Sequence, residues 1–212
     1  MLDKTLLNGL YVLTDATLTP DDTILEQMER VLKSGVKVIQ YRNKDVSDEA
    51  AEQTCIRLQA LCDVYEAIFI IDDRLELAER ICADGLHIGE DDVSYEEARA
   101  RLGADKIIGV SCYGNIERAK HYAKMGADYV AFGSFFPSPT KPKSSVVPYT
   151  LLEQAKKEIS VPICAIGGIN HSNIHHLSQY EIAMYSVISA VYHEDEIESN
   201  IEQFHAILSP SH

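Results

Sequence analysis

The sequence has few basic residues and no long apolar segment. It contains 19 Lys and Arg against 33 Asp and Glu, which gives a formal net charge of −14 at pH 7. Nucleic acids and anionic membrane surfaces are bound through excess positive charge, so we expect neither as the main partner. No apolar stretch approaches the ~20 residues that cross a bilayer. The N-terminus lacks the basic start and apolar middle of a signal peptide. We therefore expect a cytoplasmic protein.

The cysteines are odd in number and form no CxxC pair. This pattern fits a reducing compartment better than a disulfide framework or a zinc site. A Gly-x-Ser-x-Gly elbow and a Cys–His signature are also missing, so the sequence gives no sign of nucleophilic catalysis. We interpret all five cysteines as small core residues: Cys55, Cys62, Cys82, Cys112 and Cys164.

Short apolar runs recur along the whole chain and alternate with segments of helical periodicity. Continuous runs of this length are typical of parallel strands that are covered on both faces. The intervening helices would return the chain to the start of the next strand. A compact single-domain α/β fold, a (β/α)8 TIM barrel over residues 1–212, is favoured over an open doubly wound sheet. The eight predicted strands are 10–14, 36–41, 68–71, 85–88, 107–110, 129–132, 161–166 and 182–187.

Polar residues follow the second predicted strand, at the end of the barrel where such folds build their sites. Gln40, Arg42 and Lys44 alternate, and in an extended chain this spacing points all three to one side. Arg grips phosphate oxygens bidentately and Lys adds a point charge, so the group could hold a polar ring and a diphosphate. The alternative is a solvated loop in which Lys44 pairs with Asp45 or Asp48.

Adjacent carboxylates follow the third and fourth predicted strands. Asp72 and Asp73 end one run, and residues 90–92 contribute three more acidic side chains, including Asp92. Neighbouring carboxylates are costly unless they meet a cation or water. Mg²⁺ accepts one or two carboxylates and completes its octahedron with water and substrate phosphate. The pattern predicts a magnesium site. The alternative is that Asp73 and Asp92 each precede a helix and serve only as caps or surface charge.

Phosphate-binding features follow the last three strands. Gly167 and Gly168 follow the seventh strand, where paired glycines let backbone N–H groups approach a phosphate. A simple turn would explain the same pair. Ile188 and Ser189 would complete a phosphate cup between the last two strands. The loop 133–143, which contains glycine and several prolines, offers hydroxyl and ammonium groups after the sixth strand. His87 lies within a strand-like run, so we interpret it as a core histidine rather than a base.

Together these motifs resemble the thiamine-phosphate synthase family over residues 10–191. Six ordered segments carry the resemblance: Gln40-Tyr41-Arg42-Asn43-Lys44, Ile71-Asp72-Asp73, His87-Ile88-Gly89-Glu90-Asp91-Asp92, Ile108-Gly109-Val110-Ser111, Pro137 to Lys141, and Ala165-Ile166-Gly167-Gly168-Ile169.

The resemblance implies an enzyme that joins 4-amino-2-methyl-5-hydroxymethylpyrimidine diphosphate to 4-methyl-5-(2-hydroxyethyl)thiazole phosphate and releases pyrophosphate. In that family the bond to diphosphate breaks dissociatively, and no protein base is required. By motif alignment, Asp73 and Asp92 would bind Mg²⁺, and Arg42, Lys44, Ser111 and Lys141 would act on the departing diphosphate. The substrate-binding residues implied are Gln40, Tyr41, Arg42, Asn43, Lys44, Asp72, Ser111, Ser138, Pro139, Thr140, Lys141, Gly168, Ile188 and Ser189.

Two residues depart from the family pattern. Asp72 stands where the family usually has Asn, and Glu90 where it usually has Gln. A carboxylate at position 72 would weaken diphosphate binding unless it joins the metal or is neutralised by Lys or Arg. Residues 181–187 also lack the family's usual Gly-Ala-x-Gly lead into the eighth strand.

Two other functions stay open at this point. A related thiazole tautomerase shares the thiazole-phosphate cup, but it lacks the Thr-Lys loop and carries a His soon after the serine equivalent to Ser111. Here Tyr113 and Gly114 follow instead. A non-catalytic sensor of thiamine phosphate is the second alternative. Release of pyrophosphate separates the synthase from both. The sequence leaves open whether the chain forms homo-oligomers.

Overall fold

Eight parallel strands close into a barrel in the computed structural model, which describes residues 2–137 and 146–209. Each strand pairs with the next along the chain, and the eighth pairs in parallel with the first. The predicted TIM barrel is thus confirmed. The strands are β1 Gly9–Leu13, β2 Val38–Tyr41, β3 Ile68–Asp72, β4 Gly85–Ile88, β5 Ile107–Tyr113, β6 Tyr129–Phe132, β7 Ile163–Ala165 and β8 Met184–Val187.

Three predicted strands begin earlier in the sequence than the paired strands do. The apolar runs that start at Val36, Val161 and Ile182 precede β2, β7 and β8 by two residues each. Val36 and Ile182 are nevertheless buried. Apolar character marks burial, and these residues pack beneath the returning helices before the ladder of hydrogen bonds starts.

Helices cover the outside of the barrel, and their ends follow local signals. Ser47 Oγ accepts from the N–H of Ala50 at the start of the second helix, and serine is a preferred residue at this position. Gly126 ends the fifth helix with a φ of +99°, a conformation that favours glycine. The helices are α1 Ile24–Lys33, α2 Asp48–Val64, α3 Leu75–Arg80, α4 Tyr95–Leu102, α5 Ile116–Met125, α6 Thr150–Glu158, α7 His175–Ser178, α8 Ser189–Tyr192 and α9 Ile197–Leu208, with 3₁₀ turns at Lys4–Leu6 and His193–Asp195.

The core has two layers, because alternate strand residues point in opposite directions. One layer lies between the strands and the helices and includes Val12 and Phe132. The other fills the barrel interior and includes Leu7, Tyr11 and Tyr129. Within the described part of the chain, no helix has the length and apolar character needed to cross a membrane.

The interpretation of the cysteines as core residues needs one correction. All five are free thiols, but Cys82 is exposed. It follows α3 with a φ of +55°, in the turn that leads into β4. The remaining four are buried, so the prediction holds for them.

Candidate active site

A cavity of about 320 Å³ opens at the carboxyl ends of the strands. The alternation along β2 explains why Gln40 and Arg42 reach it together, because both lie on the inward side. The loops after β3 and β4 bring acidic residues to the same opening. The predicted site residues that line the cavity are Gln40, Arg42, Lys44, Asp72, Asp73, Asp92, Ser111, Gly168, Ile188 and Ser189.

Other predicted site residues are not among the lining residues. Tyr41 is 1% exposed and packs in the outer layer of the core, on the opposite side of β2 from Gln40. Asn43 holds its own loop, because its Oδ1 accepts from the N–H of Asp45 at 3.0 Å. We assign these two side chains to the fold. Ser138, Pro139, Thr140 and Lys141 lie outside the described residues.

Two cation–carboxylate pairs link β2 to β3 at the cavity. Lys44 Nζ lies 2.5 Å from Asp73 Oδ2, and Arg42 Nε lies 3.5 Å from Asp72 Oδ2. Lys44 therefore bridges to the next strand instead of forming a local pair with Asp45. Arg42 thus places a neutralising positive charge beside the carboxylate of Asp72. Both members of the Arg42–Asp72 pair are mostly buried, at 18% and 11% side-chain exposure, so solvent screens them weakly.

Asp73 and Asp92 lie side by side, and neither caps a helix. The helix after Asp73 has no side-chain cap, and the helix after Asp92 is capped by Ser94. Asp92 Oδ2 instead accepts from the N–H of Gly89 at 2.6 Å, which orients its carboxylate. The cap interpretation of these two residues is therefore wrong.

The two carboxyl groups have opposite pKa shifts. Burial would raise the pKa of Asp73, but hydrogen bonds from Lys44 and Asp92 outweigh it, so this pKa lies below its usual value. Burial and the hydrogen bond to Asp73 raise the pKa of Asp92. A like-charge pair of this kind favours a bound cation.

The oxygen ligands at this position suit Mg²⁺. Among the described residues, no three His, Cys, Asp or Glu side chains form a ready ligand set. Mg²⁺ does not require one, since it is commonly held by one or two carboxylates with waters and ligand phosphate. Asp73 and Asp92 offer two carboxylates at the edge of an open cavity, next to the cationic side chains of Arg42 and Lys44. The residues present thus fit the metal.

A chain of buried hydrogen bonds crosses the floor of the cavity, and sequence reasoning missed most of it. Gln40 Nε2 donates to Tyr11 Oη at 2.7 Å, and Tyr11 Oη lies 2.9 Å from Tyr129 Oη. His87 Nδ1 lies 2.8 Å from Tyr129 Oη, and its Nε2 lies 2.8 Å from Ser111 Oγ. His87 is buried, as predicted, yet it also lines the cavity. The sequence did offer one indication of this network, because the alternation along their strands places the polar tyrosines Tyr11 and Tyr129 in the barrel interior.

Glycines after β7 allow two loops to approach each other. Gly167 and Gly168 have φ values of +104° and +64°. A Cβ on Gly167 would lie 1.8 Å from Ser134 Oγ, and one on Gly168 would lie 2.3 Å from the carbonyl oxygen of Pro137. Both positions therefore require glycine, and the backbone after β7 forms part of the cavity wall.

Ser186 adds a polar atom to the cavity that sequence reasoning did not single out. It lies on β8 opposite Tyr11 of β1 and is 3% exposed. Its Oγ is buried and has no hydrogen-bond partner among the residues that the structure describes. A buried hydroxyl without a partner is costly, and a ligand atom in the cavity could satisfy it.

Comparison with known proteins gives consistent matches over nearly the whole chain. A family model described as thiamine monophosphate synthase matches residues 10–191. The thiamine-phosphate synthase of Alcanivorax borkumensis is 40% identical over 203 residues, which cover 94% of each chain. That of Acidithiobacillus ferrooxidans is 40% identical and covers 98% of this chain and 97% of its own. The solved thiamine phosphate pyrophosphorylase of Pyrococcus furiosus superposes with a TM-score of 0.86 at 31% identity, covering 97% of this chain and 96% of its own.

Proposed function

The chain belongs to the thiamine monophosphate synthase family, and from this we propose that it is an enzyme coupling the pyrimidine diphosphate with the thiazole phosphate. Thiamine phosphate and pyrophosphate would be the products. The observation that carries the proposal is the meeting of two cations, two adjacent carboxylates and an amide in one cavity. The cations and the carboxylates, through a metal, would bind the diphosphate. The amide would form hydrogen bonds with the aminopyrimidine ring.

The pyrimidine ring would lie on the cavity floor. Gln40 uses its Nε2 to donate to Tyr11, which leaves its Oε1 to accept from the 4-amino group of the pyrimidine. The Ser186 hydroxyl could bond a ring nitrogen. These two contacts would hold the ring so that its methylene carbon faces the opening of the cavity.

The diphosphate would lie at the opening, among the charged residues. Arg42, Lys44 and Ser111 would bind its oxygens, and Asp73 and Asp92 would hold Mg²⁺. When bound, Mg²⁺ would neutralise the negative charge that develops on the leaving diphosphate. Preplaced cations aimed at that charge lower the barrier, because they interact more strongly with the transition state than with the substrate. Asp72 would hold the Arg42 guanidinium in place, but its negative charge would partly offset the positive charge that Arg42 offers to the diphosphate.

The pyrimidine cation that forms would then be captured by the thiazole nitrogen. No protein base is needed for this dissociative step, since the 4-amino group of the ring stabilises the cation. The apolar walls formed by Leu13, Ala131 and Ile166 would limit access of water, which would otherwise capture the cation. Gly168, Ile188 and Ser189 would hold the thiazole phosphate. The roles of Ser138, Thr140 and Lys141 stay predictions from the sequence.

A single assay of the purified protein tests this function. The protein is incubated with both substrates and Mg²⁺, and thiamine phosphate and pyrophosphate are quantified together. We expect one pyrophosphate for each thiamine phosphate, with activity lost on chelation and restored by added Mg²⁺. Thiazole tautomerisation without pyrophosphate release would contradict the proposal. Binding of thiamine phosphate without any turnover would contradict it as well. We further propose a cytoplasmic location, because all five thiols are free.

A further inference from the structure

The hydrogen-bond chain beneath the cavity begins at a group that can only donate. Amide nitrogen Nε2 of Gln40 can only donate, so Tyr11 Oη accepts from it at 2.7 Å. When each hydroxyl also donates within the hydrogen-bond chain, Tyr11 donates to Tyr129 and Tyr129 donates to His87 Nδ1. In this arrangement the ring of His87 carries its proton on Nε2, which donates to Ser111 Oγ at 2.8 Å.

The phenols in the chain remain neutral donors throughout the ordinary pH range. Tyr11 and Tyr129 are 2% and 0% exposed, and burial raises the pKa of both well above the usual value. In the arrangement described, Ser111 Oγ accepts from His87, so its own proton points away from the hydrogen-bond chain. Ser111 lines the cavity, where that proton is available to a ligand.

We infer that Tyr11, Tyr129 and His87 are positioning residues that fix Ser111 as a hydrogen-bond donor to an anionic oxygen in the cavity. The inference rests on the proposed function, in which that oxygen belongs to the diphosphate. With the chain reversed, Ser111 would donate to His87 and present only lone pairs to the cavity. Lone pairs repel an anion, so the direction of the chain decides whether Ser111 helps or hinders diphosphate binding.

The protonation of His87 in the ligand-free protein gives the direct test. Nitrogen-15 NMR of the histidine side chains distinguishes a protonated from an unprotonated ring nitrogen, with His87→Gln used to assign the signals. We expect Nε2 protonated and Nδ1 unprotonated at neutral pH. A proton on Nδ1 would overturn the inference, since Tyr129 could then not donate to it and Ser111 would no longer be the acceptor of the His87 proton. The protonation is read from the wild-type protein, and His87→Gln serves only to identify the His87 signals.

Coupling between Tyr129 and Ser111 gives the second test. Binding of inorganic pyrophosphate with Mg²⁺ is measured for the wild type, Tyr129→Phe, Ser111→Ala and the double variant. We expect Tyr129→Phe to weaken binding about tenfold, the scale for one hydrogen bond to a charged group. In the Ser111→Ala background the same change should have no further effect. Additive effects, or unchanged binding in Tyr129→Phe, would contradict a role through Ser111.

Tyr185→Phe is the matched control, because it removes a hydroxyl from a buried tyrosine of β8 that packs in the outer core layer. It should bind pyrophosphate as the wild type does. The two proposals can fail separately. If the wild type showed no turnover, the synthase function would be contradicted, but the conclusion from the His87 protonation measurement would be unaffected. An active wild type with a proton on Nδ1 would contradict only the present inference.

Discussion

Tyr129 Oη lies 2.8 Å from His87 Nδ1, although the two residues lie on strands separated by β5. Gly109 of β5 is the register partner of both. A Cβ on Gly109 would lie 1.9 Å from Cζ of Tyr129. The missing side chain at this position is therefore what allows the Tyr129 ring to pass over the strand and reach the imidazole.

The first prediction concerns the space that Gly109 leaves for the Tyr129 ring. Gly109→Ala would force the Tyr129 ring aside, since a contact of this length cannot be tolerated. We expect a loss of about 1–3 kcal/mol in the free energy of unfolding, as for other overpacked cores, together with weaker pyrophosphate binding. Urea denaturation and a binding titration measure the two effects.

Gly114→Ala is the control for this substitution. Gly114 follows the same strand, and its Cβ would meet only Val147 at an ordinary distance of 3.4 Å. It should change neither quantity appreciably. If Gly109→Ala kept wild-type stability and pyrophosphate binding, the Tyr129 ring could move without consequence. That result would contradict a hydrogen-bond chain held in one geometry.

The sequence was sufficient to predict the barrel and much of the cavity lining. Apolar runs mark strands wherever both faces are covered, and the alternation of Gln40 and Arg42 needs no tertiary information. The chain of hydrogen bonds beneath the cavity could not be predicted in this way. Tyr11 and Tyr129 are 118 positions apart, and Tyr129 and His87 are 42 apart. Each lies in an apolar strand where it looks like an ordinary core residue, and only barrel closure brings the polar atoms together.

The second prediction tests the metal ligands. Asp73→Ala and Asp92→Ala should each lower turnover by orders of magnitude, because loop carboxylates at a barrel opening that hold a metal contribute to charge stabilisation and little to the core. Binding of Mn²⁺, followed by its magnetic resonance signal, should weaken in parallel. Asp45→Ala is the control, since this exposed carboxylate in the β2 loop is not among the cavity-lining residues. Full activity of Asp92→Ala in chelator-treated buffer would contradict the assignment.

The third prediction concerns the carboxylate beside Arg42. Asp72→Asn keeps an oxygen that can accept from Arg42 Nε, so the guanidinium should stay where it is. The substitution removes the negative charge, and the full cationic charge then acts on the diphosphate. We expect a several-fold lower KM for the pyrimidine diphosphate, on the scale of one partly buried charge pair.

Asp72→Ala provides the comparison for this test, because it removes both the charge and the acceptor. It should leave Arg42 without its orienting partner on β3 and bind the pyrimidine diphosphate less tightly than Asp72→Asn. If Asp72→Asn instead raises KM, the negative charge at this position contributes to binding, either through the metal or by holding Arg42.

The fourth prediction uses the buried hydroxyl of Ser186. Its Oγ has no partner among the described residues, so Ser186→Ala should stabilise the ligand-free protein by about 1 kcal/mol, the lower end of the cost of an unsatisfied buried polar group. The same change should raise KM for the pyrimidine diphosphate several-fold, because a hydrogen bond to the ring is lost, and leave KM for the thiazole phosphate unchanged. Ser189→Ala should instead raise KM for the thiazole phosphate and leave KM for the pyrimidine diphosphate unchanged, since Ser189 is assigned to the thiazole phosphate and lines the cavity. Thermal unfolding and steady-state kinetics with each substrate varied in turn separate the two variants. A more stable Ser186→Ala with wild-type KM for both substrates would show that the hydroxyl contacts neither ring, and the pyrimidine would then have to be held by Gln40 alone.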